Sequence, residues 1–119
     1  MIPYTINAIR NGEELYFTSG EQVRQYLCVD EVPVVIEQAR KKALASGVYN
    51  IAGSETLTVK QIVSQICMAF GRETPSNCFG NVQRADVGMK YLALKGSKLR
   101  KEIGFIAETK IFEVIQAYI

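Results

Sequence analysis

"TVKQIVSQICMAFG", residues 58–71, carries the clearest structural signal in the sequence. Thr58 is followed three positions later by Gln61, which is the spacing of a capping box. In a capping box each of the two side chains satisfies a backbone N–H group that has no partner within the helix. Apolar residues then recur at the spacing of one helical face: Val59, Ile62, Val63, Ile66 and Phe70. The stretch therefore predicts an amphipathic helix that ends at Gly71.

The amino-terminal part of the chain predicts one short helix followed by two strands. Pro3 fits the first turn of a helix, where its missing N–H group is not needed, and Gly12 ends the apolar pattern. The runs "ELYF" (14–17) and "RQYLCV" (24–29) are rich in aromatic and β-branched residues, and a turn-forming segment separates them. Both runs are therefore interpreted as strands, with their pairing left open.

A second helix and a third strand are predicted between the first strands and the capping box. Asp30 is a candidate N-cap, and Gly47 is a natural end for the helix that follows. The predicted buried face of that helix consists of Val32, Val35, Ile36, Ala39 and Ala43. Behind it, "VYNIAG" (48–53) is interpreted as a buried strand because its residue types favour sheets.

The carboxyl-terminal half alternates between irregular and regular segments. Residues 72–89 are rich in Gly, Asn and Ser and lack periodicity, and a loop of this length often carries function. A strand over 91–94, a helix over 97–103 and a last helix over 109–119 that buries Phe112 and Ile115 are predicted after it. The expected fold class is α/β, as an α+β-like fragment with about five helices, short strands and no complete Rossmann sheet.

Composition excludes several classes of function. The 119 residues are 48% apolar, which suits one domain over 1–119, and the net charge of +2 is spread without a basic stripe. We therefore expect no nucleic-acid partner. Neither a membrane-spanning run nor a signal sequence is evident, so no membrane contact and a cytoplasmic location are expected. The three cysteines lack CxxC spacing and histidine is absent, which predicts reduced thiols, no metal site and no Ser/His or Cys/His catalysis.

Tyr91 and Lys95 have the YxxxK spacing of the catalytic pair of short-chain dehydrogenases. Catalysis needs the lysine one helical turn from the tyrosine, so that its ammonium lowers the pKa of the phenol. Residues 91–94 are predicted to form a strand instead, in which the two side chains would stand roughly 13 Å apart. The nine glycines are at least six positions apart, so no phosphate-binding GxGxxG cluster is present. No catalytic or cofactor-binding residue is therefore assigned.

Three segments together resemble one known family: "IPYTINAIRNGEELYFTSGEQVRQYLCVDEV" (2–32), "VYNIAGSETLTVKQI" (48–62) and "KYLALKGSKLRKEIGF" (90–105). In order and spacing they are similar to the carboxyl-terminal part of the extended short-chain dehydrogenase/reductases. These are the NAD-dependent sugar-nucleotide epimerases and dehydratases, a group that includes UDP-glucose 4-epimerase-like isomerases and lyases. The resemblance implies a small substrate-binding domain that packs on an amino-terminal Rossmann domain, absent here, which holds the NAD and the true tyrosine–lysine pair.

The resemblance also implies three substrate-binding residues. The family pattern "vyGdGeqvRdyvyVdDva" is similar to residues 16–33 and puts a phosphate-binding role on Arg24; Thr18 and Ser19 depart from its glycine and aspartate. A second family arginine falls on Arg84, so that two guanidinium groups would hold one diphosphate. Phe17 matches an aromatic residue that packs near the nucleobase, although a buried strand aromatic is an equally good interpretation.

Two hypotheses of function follow. The first is the substrate-binding domain of an NAD-dependent nucleotide-sugar epimerase or dehydratase, with a nucleoside-diphosphate sugar and the missing Rossmann domain as partners. NAD would act in the intact enzyme, and the isolated chain is expected to bind none and to be inactive. The alternative is a stand-alone module that binds a nucleotide sugar or another protein. In either case an apolar surface left uncovered would favour self-association.

Overall fold

Five helices and a three-stranded sheet form the part of the chain that the computed structural model describes, residues 1–83 and 88–119. In chain order the elements are α1 (Ile2–Asn11), β1 (Val23–Tyr26), α2 (Glu31–Lys41), β2 (Glu55–Thr58), α3 (Val59–Ala69), β3 (Tyr91–Leu92), α4 (Ser97–Ile103) and α5 (Ile111–Tyr118). The predicted class, a small α/β fragment with about five helices and short strands, is confirmed.

The sheet places β1 at its centre. β2 pairs with β1 in antiparallel orientation, with Arg24 opposite Leu57, and β3 pairs with the other edge of β1 in parallel orientation, with Arg24 opposite Leu92. The backbone N–H group of Val23 donates to the carbonyl oxygen of Lys90 (2.7 Å), which extends the parallel contact. Because both of its edges are paired, β1 is the best-fixed strand of the sheet.

The capping box predicted at the start of α3 is present. The N–H group of Gln61 donates to Oγ1 of Thr58 (3.1 Å), and the N–H group of Thr58 donates to Oε1 of Gln61 (2.8 Å). Behind this cap, α3 buries Ile62, Val63 and Ile66 completely. These side chains pack with α1, α5 and the segment that contains Phe17 to form the main core. The amphipathic pattern of residues 58–71 therefore organises the larger hydrophobic cluster of the molecule.

The second predicted helix is shorter than expected and only partly buried. α2 starts at Glu31, as expected, but the Asp30 side chain makes no capping hydrogen bond. Instead, the first N–H groups of the helix donate to the carbonyl oxygens of Cys28 and Val29. Val35 is buried in a second cluster with Leu99 and Ile103 of α4, whereas Ile36, predicted to share that face, is 63% exposed. The helix ends at Lys41, before Gly47.

Two predicted strands are wrong. Residues 48–53 form no strand, and the ladder beside β1 is built instead by Glu55–Thr58, a segment with less strand-like composition. The "ELYF" run (14–17) contributes only an isolated bridge between Phe17 and Phe79. A strand is defined by hydrogen bonds to a neighbour, so residues with sheet propensity form one only where the fold supplies that neighbour.

The last helix begins at Ile111 rather than at Thr109, and two carboxylates accept hydrogen bonds from backbone N–H groups at and before this start. Glu31 accepts hydrogen bonds from the N–H groups of Glu108 (2.7 Å) and Thr109 (3.1 Å), and Glu55 accepts one from Ile111 (2.7 Å). Burial acts to raise the pKa of Glu31, but these backbone donors outweigh it and lower the pKa below its ordinary value. α5 then buries Ile115, while the predicted core residue Phe112 is half-buried.

Candidate functional site: a cleft at the start of the central strand

A surface cleft of about 450 Å³ lies where the chain enters β1. It is lined by residues from α1, from the turn before β1, from the start of α3 and from the irregular segment after α3: Met1, Tyr4, Tyr16, Phe17, Thr18, Gln22, Arg24, Val59, Val82 and Gly88. Two of the three predicted substrate-binding residues, Phe17 and Arg24, thus line the same cavity. Its volume falls within the range of small-molecule sites.

Arg24 is the one charged side chain among the described residues that line this cleft. Its position on β1, paired on both sides, fixes the backbone that carries it. Nη1 donates to the carbonyl oxygen of Val23 (2.7 Å), and within residues 1–83 and 88–119 no carboxylate lies within salt-bridge distance of it. The guanidinium therefore retains most of its donors and its full charge for an anion.

The electrostatic influence of Arg24 reaches its own strand. Burial raises the pKa of Tyr26, and the positive charge of Arg24 acts in the opposite direction. An anionic group that enters the cleft would lie beside a guanidinium that has no carboxylate partner among the described residues.

Phe17 lies in the wall of the cleft, but most of its ring is buried. Only 7% of the residue is exposed. The ring stacks on Phe79, with the centroids 5.5 Å apart, and meets the ring of Tyr4 edge to face, with the centroids 5.7 Å apart and an interplanar angle of 82°. Its backbone N–H group also donates to the carbonyl oxygen of Cys78 (2.8 Å). The interpretation of Phe17 as a core aromatic is thus compatible with its place beside the cleft.

The turn between Phe17 and β1 contains Gly20 in a left-handed backbone conformation. This glycine has a φ of +72°, and a Cβ atom there would lie 2.7 Å from Cγ of Lys60 and 2.8 Å from the Phe79 ring. Beside it, the Gln22 amide donates to the hydroxyl oxygen of Thr18 (3.1 Å). Thr18, one of the two departures from the family pattern, therefore adds a polar pair to the cleft while Gly20 supplies the left-handed conformation.

Arg84, the third predicted substrate-binding residue, lies outside the described residues. The described residues that flank this part of the chain, Val82 and Gly88, both line the cleft. Tyr91 of the YxxxK motif lies in β3 opposite Val23, which confirms a strand at this residue, but β3 ends at Leu92 rather than at residue 94.

The structure adds two aromatic residues that the sequence did not single out, Tyr4 and Tyr16. Tyr4 is 42% exposed and Tyr16 is 49% exposed. One signal was available for Tyr4, since it lies off the face of α1 that Ile6 and Ile9 bury, and a large aromatic residue on an exposed helix face is informative. Tyr16 carried no such signal, because its exposure depends on the "ELYF" run (14–17) not pairing as a strand.

Other kinds of site find no support in the described residues. No group of three or more Cys, Asp or Glu residues is placed to hold a metal ion within residues 1–83 and 88–119. Among the helices of the same residues, none has the length and apolar character that crossing a bilayer requires. The three cysteines are unpaired: Cys67 and Cys78 are buried, and Cys28 is partly exposed.

Comparison with known proteins links this fold to sugar-nucleotide enzymes. No protein-family model matches the sequence. The dTDP-glucose 4,6-dehydratase of Streptomyces griseus is 30% identical over 110 residues, covering 88% of this chain and 32% of that enzyme. The predicted family resemblance is confirmed. This chain therefore spans about one third of the curated relative that it matches.

Solved structures share the same fold over nearly the whole chain. The dTDP-glucose 4,6-dehydratase of Bacillus anthracis in complex with NAD superposes with a TM-score of 0.80 at 22% identity, over 98% of this chain and 36% of that one. The UDP-N-acetylglucosamine 4-epimerase of Methanobrevibacter ruminantium in complex with UDP-N-acetylmuramic acid gives a TM-score of 0.77 at 24% identity, again over 98% and 36%. At these identities the likeness concerns the fold.

The glycine-rich turn of a dinucleotide site has no counterpart in the sequence of this chain. The glycines of the sequence are at least six positions apart, whereas a dinucleotide site needs closely spaced glycines between a strand and a helix. No role in holding this cofactor is therefore assigned to the described residues.

Proposed function

We propose that this chain is the carboxyl-terminal, substrate-binding part of an NAD-dependent sugar-nucleotide epimerase or dehydratase, and that it binds the nucleoside diphosphate without catalysing a reaction itself. The observation that carries the proposal is the convergence of Arg24 and Phe17 on one cleft. The resemblance assigns phosphate and nucleobase contacts to these two residues independently of the fold. A guanidinium beside aromatic and hydroxyl-bearing side chains suits a nucleoside diphosphate, because the cation pairs with the phosphates and the rings with the base.

The radius of gyration and the accessible surface area of the chain support its being one part of a larger protein. Its radius of gyration is 16.9 Å, whereas a compact domain of this length has about 13.5 Å. Its accessible surface is 8067 Å², about 1,600 Å² more than the surface expected for a folded monomer of this mass. One partner contributes about 800 Å² to a standard protein interface, so this excess is large enough to form one side of such an interface. We infer that a Rossmann domain covers part of this surface in the intact enzyme.

Titration of the isotopically labelled chain with UDP or dTDP, followed by NMR, tests the binding function. We expect the backbone amide signals of residues 16–24 to shift. Arg24→Ala should weaken binding by about 10- to 150-fold, since a hydrogen bond to a charged group contributes about 1.5–3 kcal/mol. The affinity of Arg24→Lys for UDP should lie between those of the wild type and of Arg24→Ala. Lysine keeps the positive charge but lacks the planar array of N–H donors of the guanidinium. Arg40→Ala is the matched control, since Arg40 pairs with Glu37 on α2.

The outcome against the proposal is equally specific. If neither nucleotide shifts the signals of residues 16–24, or if Arg24→Ala binds as tightly as Arg40→Ala, the cleft is not the nucleotide site.

Arg84 remains a prediction from the resemblance. If it contacts the same diphosphate, Arg84→Ala weakens UDP binding on its own, and unchanged affinity would remove it from the site.

The coding sequence that adjoins Met1 tests the assignment to a larger enzyme. A reading frame that continues into a glycine-rich GxxGxxG turn and a second YxxxK pair supports it. A stop codon immediately upstream would instead favour the stand-alone module.

One observation favours that second candidate, a module that binds another protein or a second copy of itself. α2 exposes Val34 and Ile36, and the neighbouring Val29 is exposed as well. If this surface drives self-association, light scattering should show a mass that rises with concentration. Ile36→Lys should lower that mass, and Gln116→Lys, which adds the same charge on the exposed side of α5, should not. A monomeric wild type would argue against self-association through α2.

A further inference from the structure

The nucleobase contact of the proposed site needs an accessible aromatic ring, and Phe17 offers little of one. One face of its ring is stacked on Phe79, and Tyr4 meets the ring edge to face. With 7% of the residue exposed, Phe17 cannot present a full face to a planar base. Stacking requires such a face, because its strength comes from broad contact between two planar groups.

Tyr4 meets this requirement better than the other aromatic residues of the cleft. It is 42% exposed, and two separate contacts hold its ring in place. The Tyr4 hydroxyl oxygen accepts a hydrogen bond from the backbone N–H group of Tyr16 (3.1 Å), and the ring packs against Phe17. A ring that is already oriented loses less conformational entropy when a ligand binds.

Tyr16 is the competing candidate, and its side chain is committed elsewhere. Its hydroxyl donates to the carboxylate of Glu14, a contact that raises the pKa of Tyr16. Glu14 and Tyr16 both border a second cavity, which lies between α1 and the segment after α3 and includes Arg72. The Tyr16 side chain is therefore shared between two cavities, whereas Tyr4 borders only the cleft among the cavities described.

We propose that the Tyr4 ring is the surface on which the base of the nucleoside diphosphate stacks, and that the edge-to-face contact with Phe17 holds this ring in position. This inference rests on the proposed function and adds to it a residue that determines preference for a nucleotide over a bare diphosphate. The Thr18 hydroxyl and the Gln22 amide, paired at 3.1 Å in the same cleft, supply polar groups for the edge of the base or the sugar. Arg24 then acts on the phosphates.

Two ligands and four variants separate this role from a structural one. Dissociation constants for UDP and for inorganic pyrophosphate are measured by calorimetry or NMR. Tyr4→Leu retains apolar packing on Phe17 without a planar ring. It should raise the dissociation constant for UDP about 5- to 100-fold and leave that for pyrophosphate within about 2-fold of wild type. Tyr4→Phe, which keeps the ring, should bind UDP within about 5-fold of wild type. Phe17→Leu and Tyr16→Leu should each weaken UDP binding less than Tyr4→Leu does.

Any one of the following results would overturn the inference. UDP affinity that is unchanged in Tyr4→Leu excludes stacking, and an equal loss for UDP and pyrophosphate indicates only a structural role. A large loss in Tyr16→Leu with little in Tyr4→Leu assigns the base to the other ring. If UDP binds and Arg24→Ala weakens it while Tyr4→Leu does not, the inference fails and the proposed function stands. If the wild type binds no UDP, both fail.

Discussion

Among the described residues, Gly53 is the glycine at which an added methyl group would meet the closest backbone obstruction. A Cβ atom there would overlap the carbonyl oxygen and the carbonyl carbon of Tyr26, the last residue of β1. Real Cβ contacts are at least 3.0 Å, and the obstructing atoms belong to the backbone. A rotamer change cannot relieve the clash, so Gly53→Ala must push the chain away from the central strand.

The cost can be estimated from the groups that would move. Overpacking a tight contact costs about 1–3 kcal/mol, and one lost backbone hydrogen bond adds about 1 kcal/mol. We expect the free energy of unfolding to fall by about 3 kcal/mol. With a urea m-value of about 2 kcal/mol/M for a chain of this size, the unfolding midpoint would fall by about 1.5 M.

Urea unfolding followed by far-ultraviolet circular dichroism measures this change, and Gly47→Ala is the matched control. At Gly47 a Cβ atom would meet only the flexible end of Lys98 at 3.3 Å and the Tyr49 ring at 3.4 Å. That variant should unfold within about 1 kcal/mol of wild type, because glycine-to-alanine changes at unstrained positions have small effects. Midpoints for Gly53→Ala and Gly47→Ala that agree within about 0.3 M would refute the close approach of the two backbones.

Three further predictions concern the cap, the carboxylate and the thiols. Thr58→Ala should lower the free energy of unfolding by about 1 kcal/mol and the exposed control Ser64→Ala by much less, as measured in urea; equal effects would contradict the capping role. Glu31 has a lowered pKa in the folded chain, so its stabilisation is complete above the pKa of the unfolded state and is lost as pH falls through the folded pKa. The wild type should therefore lose more stability than Glu31→Gln between about pH 5 and about pH 3, and parallel pH profiles would exclude this contribution. With a thiol reagent, Cys28 should react first in the folded chain and the two buried thiols only on unfolding, because burial raises their pKa; fast reaction of all three would contradict their burial.

The helices were predictable where their signals are local. α3 carries its capping box and apolar stripe within residues 58–71, and α4 occupies the predicted range Ser97–Ile103 with Gly104 after it. The strands were less predictable, because a ladder depends on a distant partner. Residues 48–53 have the composition of a strand, yet β1 pairs with Glu55–Thr58. Sequence propensity cannot decide which of two adjacent segments reaches the neighbouring strand.

The candidate site was predictable to the extent that the family resemblance names its residues. Arg24 and Phe17 come from that resemblance, and the fold brings them to one cleft. Tyr4 could not be assigned, because its orientation depends on the backbone of Tyr16, twelve positions away, and on the ring of Phe17. Such contacts exist only once α1 has packed beside the segment that leads into β1.

Binding and stability meet at β1, which gives the variants a distinguishing pattern. Arg24 projects from the central strand, and Gly53 packs against the end of the same strand. Arg24→Ala should weaken the binding of UDP. It should leave the unfolding midpoint nearly unchanged, because Arg24 has no ion-pair partner among the described residues. Gly53→Ala displaces the strand itself, so it should change both. A loss of UDP affinity in Gly53→Ala without a loss of stability would mean that the cleft is coupled to residue 53 by some route other than the position of β1.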